Sequence, residues 1–236
     1  MSLRTISIGD LHGHNCWKQI NPEKYDKIVF LADYLDSFTH SNTEILHNLK
    51  EIIEFKRKYQ EKVELLIGNH DGSYFYFPHC TCEGFRPEAR PAIQILFNDN
   101  KDLFQVAYQY ENYLWTHAGV SNKWLSEFMP LSEERGIWND DVPLADILNM
   151  ANQTSLQEKL FQKSGKRMQY GDTDLVGGIM WADRSETRRD YLKGFHQICG
   201  HTSIRKNVRR GNDKSSITYI DSLGKPYGGF YELEIE

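Results

Sequence analysis

The chain has 236 residues, enough for one sizeable hydrophobic core without a second domain. Its formal net charge is −5 and no dense Lys/Arg run occurs, so a nucleic-acid partner is not expected; Arg205 to Arg210 is only a short basic patch. No run of 18 apolar residues is present, and Met1-Ser2-Leu3-Arg4 leads straight into a strand pattern, which predicts a soluble, cytoplasmic protein with no membrane partner.

In chain order, Arg4 to Ile8 alternates apolar and polar residues and ends at Gly9, and Lys27 to Ala32 is nearly all apolar, as expected of a buried parallel strand. Ser41-Asn42-Thr43-Glu44 matches a capping box, after which Ile45, Leu49, Ile52 and Ile53 fall on one helical face. Lys62 to Ile67 is the next strand and completes a right-handed β-α-β unit. An aromatic loop follows to about Pro91. In it Tyr74, Phe75, Tyr76 and Phe77 are expected to pack onto the core, and His79-Cys80-Thr81-Cys82 lacks the second ligand pair a zinc site needs. The other cysteines, Cys16 and Cys199, are equally isolated; no disulfide framework is present, which favours a reducing compartment.

A short helix runs through Phe97, and Leu103 to Tyr110 with Tyr113 to His117 predict a hairpin about Glu111-Asn112. Residues 121–192 are mainly helical and polar, with Ser121 an N-cap and Leu144, Ile147, Leu148 and Leu156 opening an apolar stripe; with no Gly/Ser linker, the stretch is expected to be a cap or specificity portion of a single 1–236 domain. Strands resume at Phe195 to Cys199, Ser216 to Ile220 and Gly229 to Ile235. The predicted fold class is α/β: two mixed sheets packed together and flanked by helices.

Chemistry-bearing residues cluster where these apolar runs give way to Gly- or Asp-rich turns. The strings are Gly9-Asp10-Leu11-His12-Gly13, Ala32-Asp33-Tyr34-Leu35-Asp36, Gly68-Asn69-His70-Asp71, His117-Ala118-Gly119 and Gly200-His201-Thr202. Carboxylate, amide and imidazole donors suit hard to borderline divalent ions, so Mn, Fe, Co or Zn would fit. Each string alone is weak, since Asp-x-His or Gly-Asn-His-Asp is also ordinary turn chemistry. Their conjunction in one order over most of the chain is the signal.

In that order the strings resemble the calcineurin-like metallophosphoesterase superfamily. Tyr219-Ile220-Asp221-Ser222 with Tyr227-Gly228-Gly229 is similar to the C-terminal pattern of its bacterial phosphoprotein-phosphatase-like branch. The resemblance implies a four-layer α/β sandwich with two divalent metal ions, manganese first and iron, zinc or cobalt as alternatives. It implies that Asp10 and His12 serve the first metal, that Asp33 bridges both, and that Asn69, His117 and His201 serve the second. A metal-bridging hydroxide would attack a phosphate ester, His70 would be the general acid and Asp36 its carboxylate partner. Two divalent cations would leave the site net positive in an acidic chain, and so attractive to phosphate.

The departures bear on substrate. Protein phosphatases of this branch carry an arginine directly after the second Asp of the Asp-Tyr-x-Asp string; here Ser37 stands there. Arg86, Arg90 and Arg184 are candidates to replace that clamp, with Arg184, in Met180-Trp181-Ala182-Asp183-Arg184, the first choice for substrate binding. Gly-Asn-His-Asp is shared with diadenosine tetraphosphatase-like members. The expected activity is therefore hydrolysis of a phosphomonoester, a phosphoserine or phosphothreonine protein or a small phosphoester. A dinucleoside polyphosphate hydrolase is the alternative, and a non-catalytic metal-binding scaffold a further reading.

Overall fold

The structure, a computed structural model, describes residues 2–168 and 175–236. Ten strands and seven α-helices follow in order: β1 (Leu3–Ile8), β2 (Lys27–Phe30), α1 (Asn42–Lys58), β3 (Val63–Leu66), α2 (Asn69–Phe75), α3 (Arg90–Asn98), β4 (Phe104–Gln105), β5 (Ala107–Tyr110), β6 (Tyr113–Thr116), α4 (Asn122–Glu134), α5 (Leu144–Ala151), α6 (Gln157–Leu160), α7 (Arg184–Asp190), β7 (His196–Cys199), β8 (Val208–Gly211), β9 (Ser216–Tyr219) and β10 (Tyr231–Ile235). They form two mixed five-stranded sheets, ordered β10-β1-β2-β3-β4 and β5-β6-β7-β9-β8.

In the first sheet β1, β2, β3 and β4 run parallel, with Ile6 beside Ile28 and Phe30 beside Leu65, so their C-terminal ends open at one edge. The crossover helix α1 forms for the reason its sequence suggests. Ser41 caps it reciprocally with Glu44, and Ile45, Leu49, Ile52 and Ile53 are buried, each burial contributing about 1.5–3 kcal/mol. In the second sheet β6, β7 and β9 are parallel and present their C-terminal ends in the same way. Two buried hydrogen bonds tie the sheets together: Trp115 Nε1 donates to Ser7 Oγ at 2.9 Å, and His117 Nδ1 donates to Leu31 O at 2.8 Å.

Three expectations need correction. The run Leu103 to Tyr110 is not one strand: it breaks at Val106, so that β4 joins the first sheet and β5 pairs with β6 in the second. Asn149 Oδ1 accepts from the N–H groups of both Val106 and Ala107, satisfying the backbone at the crossing. Asn69 and His70 sit not in a turn but in the first residues of α2, which also takes in Tyr74 and Phe75. Those rings pack inward, Phe75 stacking on Phe97 at 4.0 Å and Tyr74 lying 4.8 Å from Phe85. The basic patch at 205–210 is partly strand: β8 is an exposed edge strand antiparallel to β9, and its charges suit an edge open to solvent.

Helices α4, α5, α6 and α7 fall within 121–192; residues 169–174 of that stretch lie outside the described residues. No helix among the described residues is long and apolar enough to cross a membrane.

Candidate metal centre and proton donor

The site forms where the sheet edges meet. Of the six non-glycine residues with positive φ among the described residues, five are at this edge: His12, Ala32, Asp33, Asp36 and His201. Such conformations cost roughly 1–3 kcal/mol each and persist only where the surroundings impose them. Close packing does so here. A Cβ on Gly68 would lie 2.2 Å from Asp33 Oδ1, and one on Gly200 would lie 2.0 Å from Asp10 Oδ1, so both glycines are required by the carboxylates beside them.

Asp33, Asn69, His117 and His201 converge. His117 Nε2 lies 2.8 Å from Asn69 Oδ1, 3.2 Å from His201 Nδ1 and 3.4 Å from Asp33 Oδ2, and His201 Nδ1 lies 2.9 Å from Asn69 Oδ1. Because His117 Nδ1 must donate to the Leu31 carbonyl, the neutral ring turns a bare Nε2 lone pair toward this group of acceptors. His12 is fixed the same way: Nδ1 donates to Leu35 O at 2.8 Å, and Nε2 faces Asp33 Oδ2 at 3.9 Å. Buried lone pairs aimed at one another make a cluster that a cation would satisfy, and the residues present fit the divalent metals the donor set favours. His201 turns Nδ1 toward this cluster, while its Nε2 is buried without a hydrogen-bond partner among the described residues.

Two donor groups, each spanning less than 4.8 Å, share Asp33: His12, Asp33 and His70, and Asp33, His117 and His201. Asp10 is buried beside them, with both carboxylate oxygens 3.0 Å from the backbone N–H of His201. Burial, with Asp221 and Asp33 close by, holds the Asp10 carboxyl well above the usual range. Burial also pushes Asp33 upward, but His117, His70, His12 and His201 outweigh it and bring Asp33 down to about 2. Desolvation lowers both His117 and His201, keeping them neutral as metal ligands must be.

His70 Nδ1 lies 3.0 Å from Asp36 Oδ2, and the two rings of His70 and His12 meet edge to face at 5.0 Å. Desolvation would lower His70, yet Asp33, Asp36 and Cys82 overcome it and raise it to about 12. Tyr74 OH donates to the other Asp36 oxygen, so the carboxylate is held from both sides.

Three residues were not singled out from the sequence as site residues. Cys82 Sγ sits 3.3 Å from His70 Nδ1 and 3.0 Å from Ser73 Oγ, beside the His70–Asp36 pair; the loop after α2 has no pattern that would place it there. Asp71 accepts backbone N–H groups from Asp33 at 2.8 Å, Tyr34 at 3.0 Å and Gly68 at 3.0 Å, shaping the turn that presents Asp33. Arg167 pairs with Asp183 at 3.0 Å and donates to Thr202 Oγ1 at 2.8 Å, one residue from His201.

The candidate clamp arginines separate. Arg86 donates to the carbonyls of Ser37 and His40 and to Asn42 Oδ1, so its guanidinium is spent on stitching the loop beyond Asp36. Arg90 packs over Phe77 at 4.3 Å. Arg184 lies over Tyr219 at 5.1 Å, and its buried Nε has no hydrogen-bond partner among the described residues. Ser37 Oγ accepts from the N–H groups of Thr39 and His40, each at 3.2 Å, and so builds a turn where the resemblance would have a phosphate clamp.

Comparison with known proteins bears on the fold and the family. The fold is similar to the cold-active protein-tyrosine phosphatase of a psychrophilic Shewanella species, at 15% identity and a TM-score of 0.55, covering 98% of this chain and 75% of that one. It is also similar to a Saccharomyces cerevisiae protein serine/threonine phosphatase that resembles human phosphatase PP5, at 14% identity and a TM-score of 0.51, covering 98% and 72%. A search of curated proteins finds no match. The calcineurin-like phosphoesterase profile matches residues 3–204, a span that contains every ligand candidate and the His70–Asp36 pair, and the chain belongs to that family.

Proposed function

We propose that this metal-dependent phosphoesterase hydrolyses phosphomonoesters, with His70 as the general acid and Asp36 as its positioning carboxylate. The observation that carries the reading is the 3.0 Å His70–Asp36 contact beside the Asp33-centred donor cluster, since a scaffold that only held metal would need no proton donor. Asp33 is the one carboxylate common to both donor groups and is the proposed bridge; Asp10 and His12 are the proposed ligands of one ion, and Asn69, His117 and His201 those of the other. Bound there, divalent ions would acidify water and withdraw charge from the phosphate.

The chain's own residues then do three things. Leu31 and Leu35 carbonyls fix the tautomers of His117 and His12, which keeps a lone pair directed at the centre. Asp33 Oδ1 accepts the backbone N–H of His70 at 3.0 Å, locking the acid's position to the bridge. Asp36 holds the Nδ1 proton of His70, so the proton given to the leaving oxygen comes from Nε2. Arg184 is the arginine proposed to meet phosphate oxygens, in place of an arginine at Ser37, while Arg167, held by Asp183 and Thr202, braces the segment behind His201. Activity of metal-reconstituted protein against an aryl phosphate, phosphopeptides, a dinucleoside polyphosphate and a phosphodiester tests the reading. Turnover of the phosphomonoesters supports it, and exclusive turnover of the dinucleoside polyphosphate would replace it.

A further inference from the structure

Beyond His201 the chain walls a cavity of about 750 Å³, within the range usual for small-molecule sites. Arg184, Arg205, Lys206 and Lys225 bring four cationic side chains to it, Ile204, Val208 and Pro226 supply apolar walls, and Tyr227 stands at its side, 80% exposed. No described residue lining it is acidic. In a chain of net charge −5, that concentration of like charge is held against its own repulsion. Arg205 and Lys206 make no ion pair or side-chain hydrogen bond among the described residues, and the buried Nε of Arg184 is likewise without a partner.

The cavity wall is continuous in the chain with the proposed metal ligands. Ser203 of its lining is two residues past His201, and the Ile204 N–H donates to Asp221 O at 2.8 Å, tying the cavity wall to the strand end packed against Gly9 and Asp10. Arg205, Lys206, Val208, Lys225, Pro226 and Tyr227 lie beyond the 3–204 span that the family profile matches.

We propose that this cavity is a substrate subsite for a second phosphate and the flat ring beside it, carried by a small bis-phosphorylated molecule whose scissile phosphate lies at the Asp33-centred cluster. The proposal rests on the phosphoesterase reading above. Four cations converging on one cavity match one compact, multiply charged group; an acidic peptide would be met by charges spread along a groove. The exposed Tyr227 ring, with Pro226 and Val208 near it, offers a face for stacking.

The test compares adenosine 3′,5′-bisphosphate, adenosine 5′-monophosphate and an acidic phosphopeptide on metal-reconstituted protein, using wild type, the double variant Arg205→Gln/Lys206→Gln, and Tyr227→Ala. Expected is a wild-type preference in kcat/KM for the bisphosphate over the monophosphate of at least about tenfold. It should shrink to about twofold in the double variant through KM, with Tyr227→Ala weakening both nucleotides. No wild-type preference, or one that survives in the double variant, overturns the subsite; so does a loss confined to the phosphopeptide. Should wild type turn over none of the three and no aryl phosphate either, the phosphomonoesterase reading falls by itself. Calorimetric binding of the bisphosphate to the same proteins then decides the subsite, tighter binding that is lost in the double variant supporting it and equal binding overturning it.

Discussion

Asp71 Oδ2 accepts the backbone N–H of Asp33 at 2.8 Å, so a carboxylate outside the proposed ligand set shapes the turn that holds the proposed bridge. The same side chain takes the N–H groups of Tyr34 and Gly68, and it is fully buried. Asp71→Asn replaces one accepting oxygen with a donor facing N–H groups. It should cost about 3 kcal/mol, since hydrogen bonds to charged groups are each worth roughly 1.5–3 kcal/mol. Urea unfolding of the metal-free protein measures this, and metal binding should weaken in parallel. An unchanged midpoint would remove Asp71 from this role.

Asp33 belongs to both donor groups, whereas Asp10 belongs to neither and is occupied with the His201 N–H. Asp33→Asn should therefore disrupt both metal positions and Asp10→Asn mainly one. Metal analysis after reconstitution checks this, and two ions per chain with normal turnover in Asp33→Asn would refute the bridge.

How far these roles were legible beforehand depended on locality. The ligand strings each combine a strand end with a turn, and both halves of that signal lie within a few adjacent residues, as in Val29 to Asp36. The capping box at Ser41 and the stripe of α1 were equally local. What escaped was non-local. The break at Val106 is decided by Asn149, over forty residues away, and Cys82 reaches His70 only because the loop after α2 folds back. β8 was hidden because an exposed edge strand with VRRG has no buried face and therefore no alternation to detect.

His70 carries a sign-specific pH prediction. Its folded pKa is raised from 6.5 to about 12, against desolvation, by Asp33, Asp36 and Cys82. A raised histidine stabilises fully below its unfolded value and loses that contribution as pH climbs toward the folded value. Metal-free wild type should thus lose stability between about pH 7 and pH 10 more steeply than His70→Asn. Parallel denaturation profiles would contradict this. Nitrogen chemical shifts should also report a doubly protonated ring at pH 8, which Asp36→Asn should abolish.

If His70 is the proton donor, its loss must matter most where the leaving oxygen most needs a proton. His70→Asn should slow hydrolysis of alkyl phosphates by roughly 10²–10⁴-fold and an activated aryl phosphate much less, with metals retained. Asp36→Asn should follow the same pattern more weakly. Equal losses on both esters would mean that His70 acts by some other route.

The remaining prediction concerns the phosphate clamp. Ser37 Oγ already serves the Thr39 and His40 N–H groups, and Arg86 already fastens the Ser37 carbonyl, so the loop is built around a serine. Ser37→Arg must break that turn and place a second guanidinium near Arg86, and it should lower stability while leaving phosphate binding little improved. Arg184 is different: it packs on Tyr219, on the His201 side, with an unpartnered Nε. Arg184→Ala should raise KM about tenfold or more with a smaller change in kcat, because a charge-assisted contact worth roughly 1.5–3 kcal/mol would be lost. Arg167→Ala, which removes the Asp183 pair and the Thr202 contact, should instead lower kcat by loosening the segment behind His201. Steady-state kinetics on one phosphomonoester separates the three. An unchanged KM in Arg184→Ala would sink the relocated clamp, and rescue by Ser37→Arg in the double variant would show that position 37 can still reach the phosphate.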